Sequence, residues 1–353
     1  MTKVSAHEGL GTLPNALKEL WVEIGGTCHL KCDYCFAESD GIDNDPENVP
    51  MERMLETIEE FKKMGGERIG VVGAGEPLHP KNREDLFDIL NYTEVNDITT
   101  TIFTTGDLIT ENVLDKLDNY KNITLLIKYN SQIPEVQDKL ARNDGYTLRR
   151  KKALKTLFER GYNDGKKLGI VTSIMEDNYD EMPDLLRYAR DNNLIFDADT
   201  LISRGRGSTC GLNSSDEKNK TIVEKLQKID KDEYGKEWII SGNYIASPPC
   251  TRFCQHLYIN KTGDVYPCVG SSDVVLGNIK EQSLEELWDS PLMKMIREHR
   301  YEGECTTCEN YQNEDCYSCL GRSTEDLNTE SLKRDGYVKT IGCFNYRSAN
   351  NEL

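Results

Sequence analysis

The chain has 353 residues, 61 acidic against 43 basic, and a formal charge of −18. So acidic a chain repels phosphate backbones, which excludes nucleic-acid binding through a generally basic surface. No run approaches the roughly 18 apolar residues of a membrane span, and the first residues carry no apolar signal core, so the expected compartment is cytoplasmic. Hydrophobic residues make up 37%, enough for a real core, which excludes wholesale disorder.

Residues 1–19 read as a lead-in, too short for an N-terminal recognition domain. LWVEI (20–24) then reads as a strand, and 51–64 carries Met51, Met54, Leu55, Ile58 and Phe61 at helical spacing. RIGVV (68–72) is a second strand and DLFDIL (85–90) begins a helix. ITTTIFT (98–104) and ITLLIKY (123–129) are strands around a helix near 110–119. A helix over 147–160, a strand at LGIVTSI (168–174), a helix over 180–192 and a sixth strand at IFDADTLIS (195–203) complete the series. Strands alternating with helices imply βαβ units and a parallel sheet. Six units in this length suit a partial TIM-like (βα)6 barrel spanning 20–235, with chemistry at the C-terminal strand ends. The acidic stretch 38–47 reads as a solvated loop.

From 236 to 353 the pattern changes. HLYINKTGDVYPC (256–268) reads as a hairpin turning near Thr262-Gly263-Asp264, and 283–300 as a helix capped by Ser283 with Glu286 three residues on. The rest is rich in cysteine and poor in periodicity, as expected of a small α+β domain held by metal.

Twelve cysteines carry the strongest signal, and eleven fall in two groups. Directly after the first strand, Cys28, Cys32 and Cys35 are spaced C-x3-C-x2-C. Three thiolates on one loop can hold three irons of a [4Fe–4S] cube and leave the fourth open to a ligand. The competing reading is a zinc knuckle, which wants a fourth protein ligand, and His29 is the nearest. The second group is Cys250, Cys254, Cys268, Cys305, Cys308, Cys316, Cys319 and Cys343. Eight thiols suit two [4Fe–4S] clusters or two zinc ribbons equally. Cys210 stands alone; it is either a small buried residue or, beside the barrel mouth, a hydrogen-atom donor.

The first group resembles the radical S-adenosylmethionine (radical SAM) superfamily. The resemblance rests on C-x3-C-x2-C, on Tyr34 before the last cysteine, and on GAGEP (73–77) after the second strand. GAGEP is similar to that family's glycine-rich turn, so Gly73, Gly75, Glu76 and Pro77 are expected at the SAM amino group. FTTG places Thr105 near the cofactor, and MEDN places Asn178 there. The resemblance implies that a reduced cluster cleaves SAM to methionine and a 5′-deoxyadenosyl radical, which abstracts hydrogen from substrate. Such enzymes need an outside reductant such as flavodoxin or ferredoxin. IKYNS (127–131) departs from the family and puts Lys128 near the mouth, either as a solvated side chain or as a cation for a carboxylate. Arg204, with Arg206, is a candidate partner for the SAM carboxylate or an anionic substrate, against the reading of a surface arginine.

The second group resembles the SPASM extension, which carries two auxiliary [4Fe–4S] clusters. That family's pattern implies Cys250, Cys254, Cys268 and Cys319 around one cluster and Cys305, Cys308, Cys316 and Cys343 around the other. The expected function is a radical SAM oxidoreductase-type enzyme performing a net two-electron oxidation or cross-link on a peptide or protein side chain. The alternative is oxidation, epimerisation or decarboxylation of a polar small molecule such as a sugar or aminocyclitol. Val269 stands where sulfatase-maturing relatives place an Asp base, which argues against that activity.

Overall fold

The computed structural model describes residues 15–202, 204–237, 250–271, 274–313, 316–320, 333–334 and 337–340. In chain order the barrel segment contains β1 (Glu19–Val22), α1 (Met51–Lys63), β2 (Arg68–Val71), α2 (Arg83–Val95), β3 (Thr99–Thr104) and α3 (Glu111–Leu117). It continues with β4 (Ile123–Lys128), α4 (Pro134–Ala141), α5 (Tyr146–Glu159), β5 (Leu168–Ile174), α6 (Met182–Asp191), β6 (Ile195–Thr200) and α7 (Asp216–Tyr234). Two compact units result. One is Val22–Asn48 with Arg68–Trp238; the other is Met1–Trp21, Val49–Glu67 and Ile239–Leu353.

In the first unit β2 to β6 are parallel neighbours in sequence order, with in-register pairs such as Ile102↔Leu125 and Ile127↔Ile170. Ile102, Ile127 and Ile170 are wholly buried on one face of the sheet. Side chains alternate along a strand, so the paired residues Lys128, Val171 and Asp197 point to the opposite, inner face, with Ser173 and Asp199 in the next row. Val22 joins the row through its carbonyl, which accepts from the Val72 N–H at 3.0 Å.

Two helices of this unit escaped the sequence pattern. α4 begins on Pro134, whose missing N–H costs nothing in a first turn, and stops at Arg142 in the left-handed region at φ 48°. α7 is polar along most of its length, capped by Ser215 and stopped by Gly235 at φ 64°.

The second unit carries α1, which buries Met54, Ile58 and Phe61 as one stripe. Its β7 (His256–Ile259) and β8 (Asp264–Tyr266) form the expected antiparallel hairpin, extended by β9 (Gly277–Asn278). The Asn260 side chain closes the turn, accepting from the N–H groups of Thr262 (3.1 Å) and Asp264 (2.8 Å). The helix expected over 283–300 is two, α8 (Leu284–Trp288) and α9 (Pro291–Arg297). Pro291 cannot donate to a continuing helix, and Ser290 restarts the chain by capping Met293. At α8 the expected capping box is present: Ser283 Oγ accepts from the Glu286 N–H at 3.2 Å, and Glu286 accepts from the Ser283 N–H at 2.8 Å. Beyond α9 lie β10 (Tyr301–Gly303), α10 (Glu309–Gln312), β11 (Lys333–Arg334) and β12 (Tyr337–Thr340); β12 pairs in parallel with β10.

Among the described residues, no helix is long and apolar enough to cross a membrane.

Candidate functional site

The cysteine loop is held from four sides of its own unit. At its entry, the Gly26 N–H donates to Asp43 at 2.8 Å, and the Asp43 N–H donates to Thr27 Oγ1 at 3.0 Å. Asp43 therefore does more than solvate the acidic loop. At Gly75 a Cβ would stand 2.2 Å from the Thr27 carbonyl oxygen, so only glycine lets the GAGEP turn lie on this backbone. The end of α4 supplies the Ala141 and Leu140 carbonyls to the N–H groups of Lys31 (3.2 Å) and Asp33 (3.0 Å). The fourth clamp is Arg206, whose guanidinium donates to the carbonyls of Cys32 (2.8 Å), Glu38 (2.8 Å) and Ser39 (2.7 Å). Sequence reasoning left Arg206 between an anion partner and a surface arginine beside glycines, and the structure gives its guanidinium to loop carbonyls. The glycine matters to that seat: a Cβ at Gly205 would strike the Phe36 carbonyl at 2.5 Å.

Inside this frame Cys28 and Cys32 pack against Leu30, Ala141 and Tyr146. Burial pushes the Cys28 thiol up to about 12 and the Cys32 thiol up to about 11. Such thiols give up their protons to a strongly binding metal, not to water. His29 is turned away from them, with Nε2 2.9 Å from Asp107, whose carboxylate also receives Thr105 Oγ1 (2.8 Å) and Arg149 Nε (3.1 Å). Among the described residues no three His, Cys, Asp or Glu side chains converge as around a single metal ion. With His29 engaged by Asp107, the loop offers three thiolates and no fourth ligand of its own, the donor set of a cubane with one open iron and not of a closed zinc knuckle.

The other expected site residues divide into two kinds. Gly73 sits at φ 56°, with Pro77 packed against it, and makes the turn possible. Glu76 is 1% exposed and already engaged. It accepts from Thr104 Oγ1 (2.6 Å) and from the N–H groups of Thr105 (2.6 Å) and Leu78 (3.0 Å). Burial raises its pKa against these donors. Its carboxylate thus ties the GAGEP turn to the end of β3. Asn178 is likewise consumed by backbone: its amide donates to the carbonyls of Asn130 (2.8 Å) and Ser173 (2.9 Å), and its oxygen accepts from Met175 (2.9 Å). It joins the ends of β4 and β5.

Lys128, Tyr34 and Cys210 are the second kind, half-buried near the loop. Lys128 donates to Ser173 Oγ at 2.7 Å and lies 5.2 Å from the centre of the Tyr34 ring. It is no solvated surface lysine: desolvation lowers its pKa to about 8, against the pull of Cys32, Asp199, Asp197 and Cys35. Ser173, Asp197 and Asp199 were missed in the sequence, because only strand register puts them beside Lys128. Cys210 and Tyr34 pack on one small cluster of Leu140, Met175 and Leu201. Arg204 is half-buried, with its N–H on the Ile202 carbonyl at 2.8 Å.

In the second unit Cys254 is buried, donates to the Thr251 carbonyl at 2.9 Å, and lies near enough to Cys250 to feel its charge. Burial pushes its thiol up to about 11. Cys268 begins a turn closed by Ser271, whose hydroxyl donates to the Cys268 carbonyl at 2.8 Å. The Cys308 N–H donates to the Cys305 carbonyl at 3.1 Å. The thiols of Cys305, Cys316 and Cys319 lie near enough to the Tyr301 side chain to influence it electrostatically. Its hydroxyl is buried and has no hydrogen-bond partner among the described residues, an orphan donor in a cysteine-rich segment, which fits a sulfur-ligated cluster in its neighbourhood. Cys343 lies outside the described residues.

Comparison with known proteins agrees with this geometry. The radical SAM superfamily profile matches residues 22–189, and that of SPASM, an iron-sulfur cluster-binding domain, matches 250–309. The mycofactocin maturase MftC of Mycolicibacterium smegmatis is 24% identical over 306 residues, which cover 82% of this chain and 74% of the relative. An AdoMet-dependent heme synthase of Methanosarcina barkeri is 22% identical over 350 residues, covering 88% and 93%. Streptococcus suis SuiB, in a crystal structure bound to precursor peptide SuiA, shares the fold at TM-score 0.69 and 19% identity over 92% of this chain and 76% of that one. The chain carries a radical SAM domain over residues 22–189 and a SPASM iron–sulfur cluster-binding domain over 250–309, and is an enzyme that works with S-adenosylmethionine and [4Fe–4S] clusters.

Proposed function

We propose that this enzyme oxidises or cross-links a side chain of a peptide substrate. What carries the reading is the pairing of a radical SAM barrel and a SPASM domain, as supported by a relative named a maturase, MftC, and a structural neighbour, SuiB, seen bound to a precursor peptide. The polar inner face of β4 to β6 supports it, since Lys128, Ser173, Asp197 and Asp199 offer both charges to a zwitterionic chain.

In this reading Cys28, Cys32 and Cys35 hold the SAM-binding cluster, which supplies the reductive cleavage of SAM when bound. The backbone of Gly73 to Gly75 would receive the SAM amino group, while Glu76 and Asn178 hold the strand ends in place. Arg206 keeps the loop carbonyls fixed. Lys128 orients a substrate carboxylate or carbonyl on the inner face. Cys250, Cys254, Cys268 and Cys319 would hold one auxiliary cluster and Cys305, Cys308, Cys316 and Cys343 the other, which would supply an acceptor for the electron that the substrate radical gives up, with a proton, after the hydrogen atom is removed. The separate electron that SAM cleavage needs would come from a flavodoxin or ferredoxin. With these assignments the domain boundary falls near residue 235.

The test is anaerobic incubation of the reconstituted enzyme with SAM, dithionite and short peptides encoded beside its gene. Loss of two hydrogen atoms from one peptide, read by mass spectrometry, is the expected result. Turnover of a sugar or aminocyclitol with every peptide unchanged would overturn the proposal. In the same assay Lys128→Met is expected to slow peptide modification about tenfold or more, the worth of one charge-assisted hydrogen bond, with Lys128→Arg restoring part of it. An unchanged rate in Lys128→Met would remove Lys128 from substrate binding.

A further inference from the structure

Tyr301 opens β10, just after α9 and four residues before Cys305. Its position is fixed by backbone on both sides: its N–H donates to the His299 carbonyl at 2.9 Å, and it pairs with Val338 of β12. The ring is packed between His299 at 4.9 Å and Tyr311 at 6.5 Å, and the side chain is 1% exposed. Yet the hydroxyl has no hydrogen-bond partner among the described residues. A buried hydroxyl without one is costly and rare in natural interiors. The ring packs on Tyr311 of α10, in the segment that carries Cys305 and Cys308, and the thiols of Cys305, Cys319 and Cys316 are near enough to influence it electrostatically. A phenol is protonated at neutral pH, hence a donor.

We propose that the Tyr301 hydroxyl donates a hydrogen bond to a cysteinyl sulfur of the auxiliary cluster held by Cys305 and Cys316, and so tunes that cluster's reduction potential. Tyr301 is a positioning residue: it touches a ligand sulfur and no substrate. Reduction adds an electron whose density lies partly on the sulfurs, so a donor to sulfur stabilises the reduced state more than the oxidised one. With the bond in place the cluster accepts an electron more readily, as an acceptor of the substrate's second electron must. The inference rests on the reading that these cysteines bind iron rather than zinc.

The experiment uses the full chain with Cys28, Cys32 and Cys35 changed to Ala, so that only auxiliary clusters contribute. Iron is counted first; about eight per chain confirms both clusters. Redox titration followed by electron paramagnetic resonance then compares this protein with the same protein carrying Tyr301→Phe. The expected result is a more negative potential for one cluster, so that its reduced-to-oxidised ratio at fixed poise falls about tenfold. A proton coupling that exchanges in deuterated water should vanish with it. If Tyr301→Phe loads less iron, a fluorinated tyrosine placed at 301 decides the matter: as a stronger donor it should move the potential the other way. Full iron loading with potential and exchangeable coupling both unchanged would overturn the proposal. Zinc in place of the eight irons would remove the acceptor and the proposal together, and the metal count shows this before any titration.

Discussion

Changing Cys28, Cys32 and Cys35 together to Ala is expected to abolish dithionite-driven formation of 5′-deoxyadenosine from SAM and to remove about four irons per chain. The loop that presents these thiols is fixed by contacts in which no cysteine side chain takes part, namely the Arg206 guanidinium, the Gly75 approach and the end of α4. The variant should therefore fold with its loop in place and lose only the ligands. Circular dichroism and the remaining iron of the C-terminal segment check that it does. Retained SAM cleavage in the triple variant would contradict the assignment of the site, and loss of all iron would mean that the change unfolds more than its own loop.

The second large effect concerns Arg150, which touches no expected ligand. Its guanidinium is fully buried and donates to the Lys128 carbonyl (3.1 Å), to Gln137 Oε1 (2.7 Å) and to the Ser131 carbonyl (3.0 Å). It also lies 3.7 Å from the centre of the Tyr129 ring and 5.3 Å from that of Tyr146. Gln137 Oε1 in turn accepts from the N–H groups of Asn130 and Ser131. Arg150 thus knots the end of β4 to α4 and α5, directly behind Lys128. Arg150→Met keeps most of the volume and leaves these acceptors short of a donor in the interior. It is expected to cost about 3 kcal/mol or more, which lowers the apparent melting temperature on the order of 5–10 °C. Lysine should not rescue it, because a point charge cannot reach three acceptors and stack on a ring. A melting curve that overlays the wild type would show that the knot does not hold this part of the barrel.

The parallel strands were legible because strands covered on one face by helices read as short apolar runs. ITLLIK and LGIVTSI match β4 and β5 to within a residue. The cysteine loop and the GAGEP turn were legible because ligand spacing and glycine are local properties. What stayed hidden is non-local or punctuated by proline. Pro134 starts a helix that the pattern left out, and Pro291 splits one that it joined. Arg206 meets Cys32 across 174 residues of sequence, and His29 meets Asp107 across 78. Glu76 and Asn178 were singled out by motif, but a motif names a residue without its partners. The structure gives both of them to backbone groups at strand ends. Lys128 illustrates the opposite gain: a lysine at a strand end reads as solvated until register sets Ser173 and Asp199 beside it.

The central claim is that one chain carries three [4Fe–4S] clusters. Analysis of iron, acid-labile sulfide and zinc after anaerobic reconstitution tests it most directly. The account predicts about twelve irons and about twelve sulfides per chain with no stoichiometric zinc. About four irons accompanied by zinc would contradict it: the SAM-binding loop would stand, but the C-terminal cysteines would form a zinc module with no part in electron transfer.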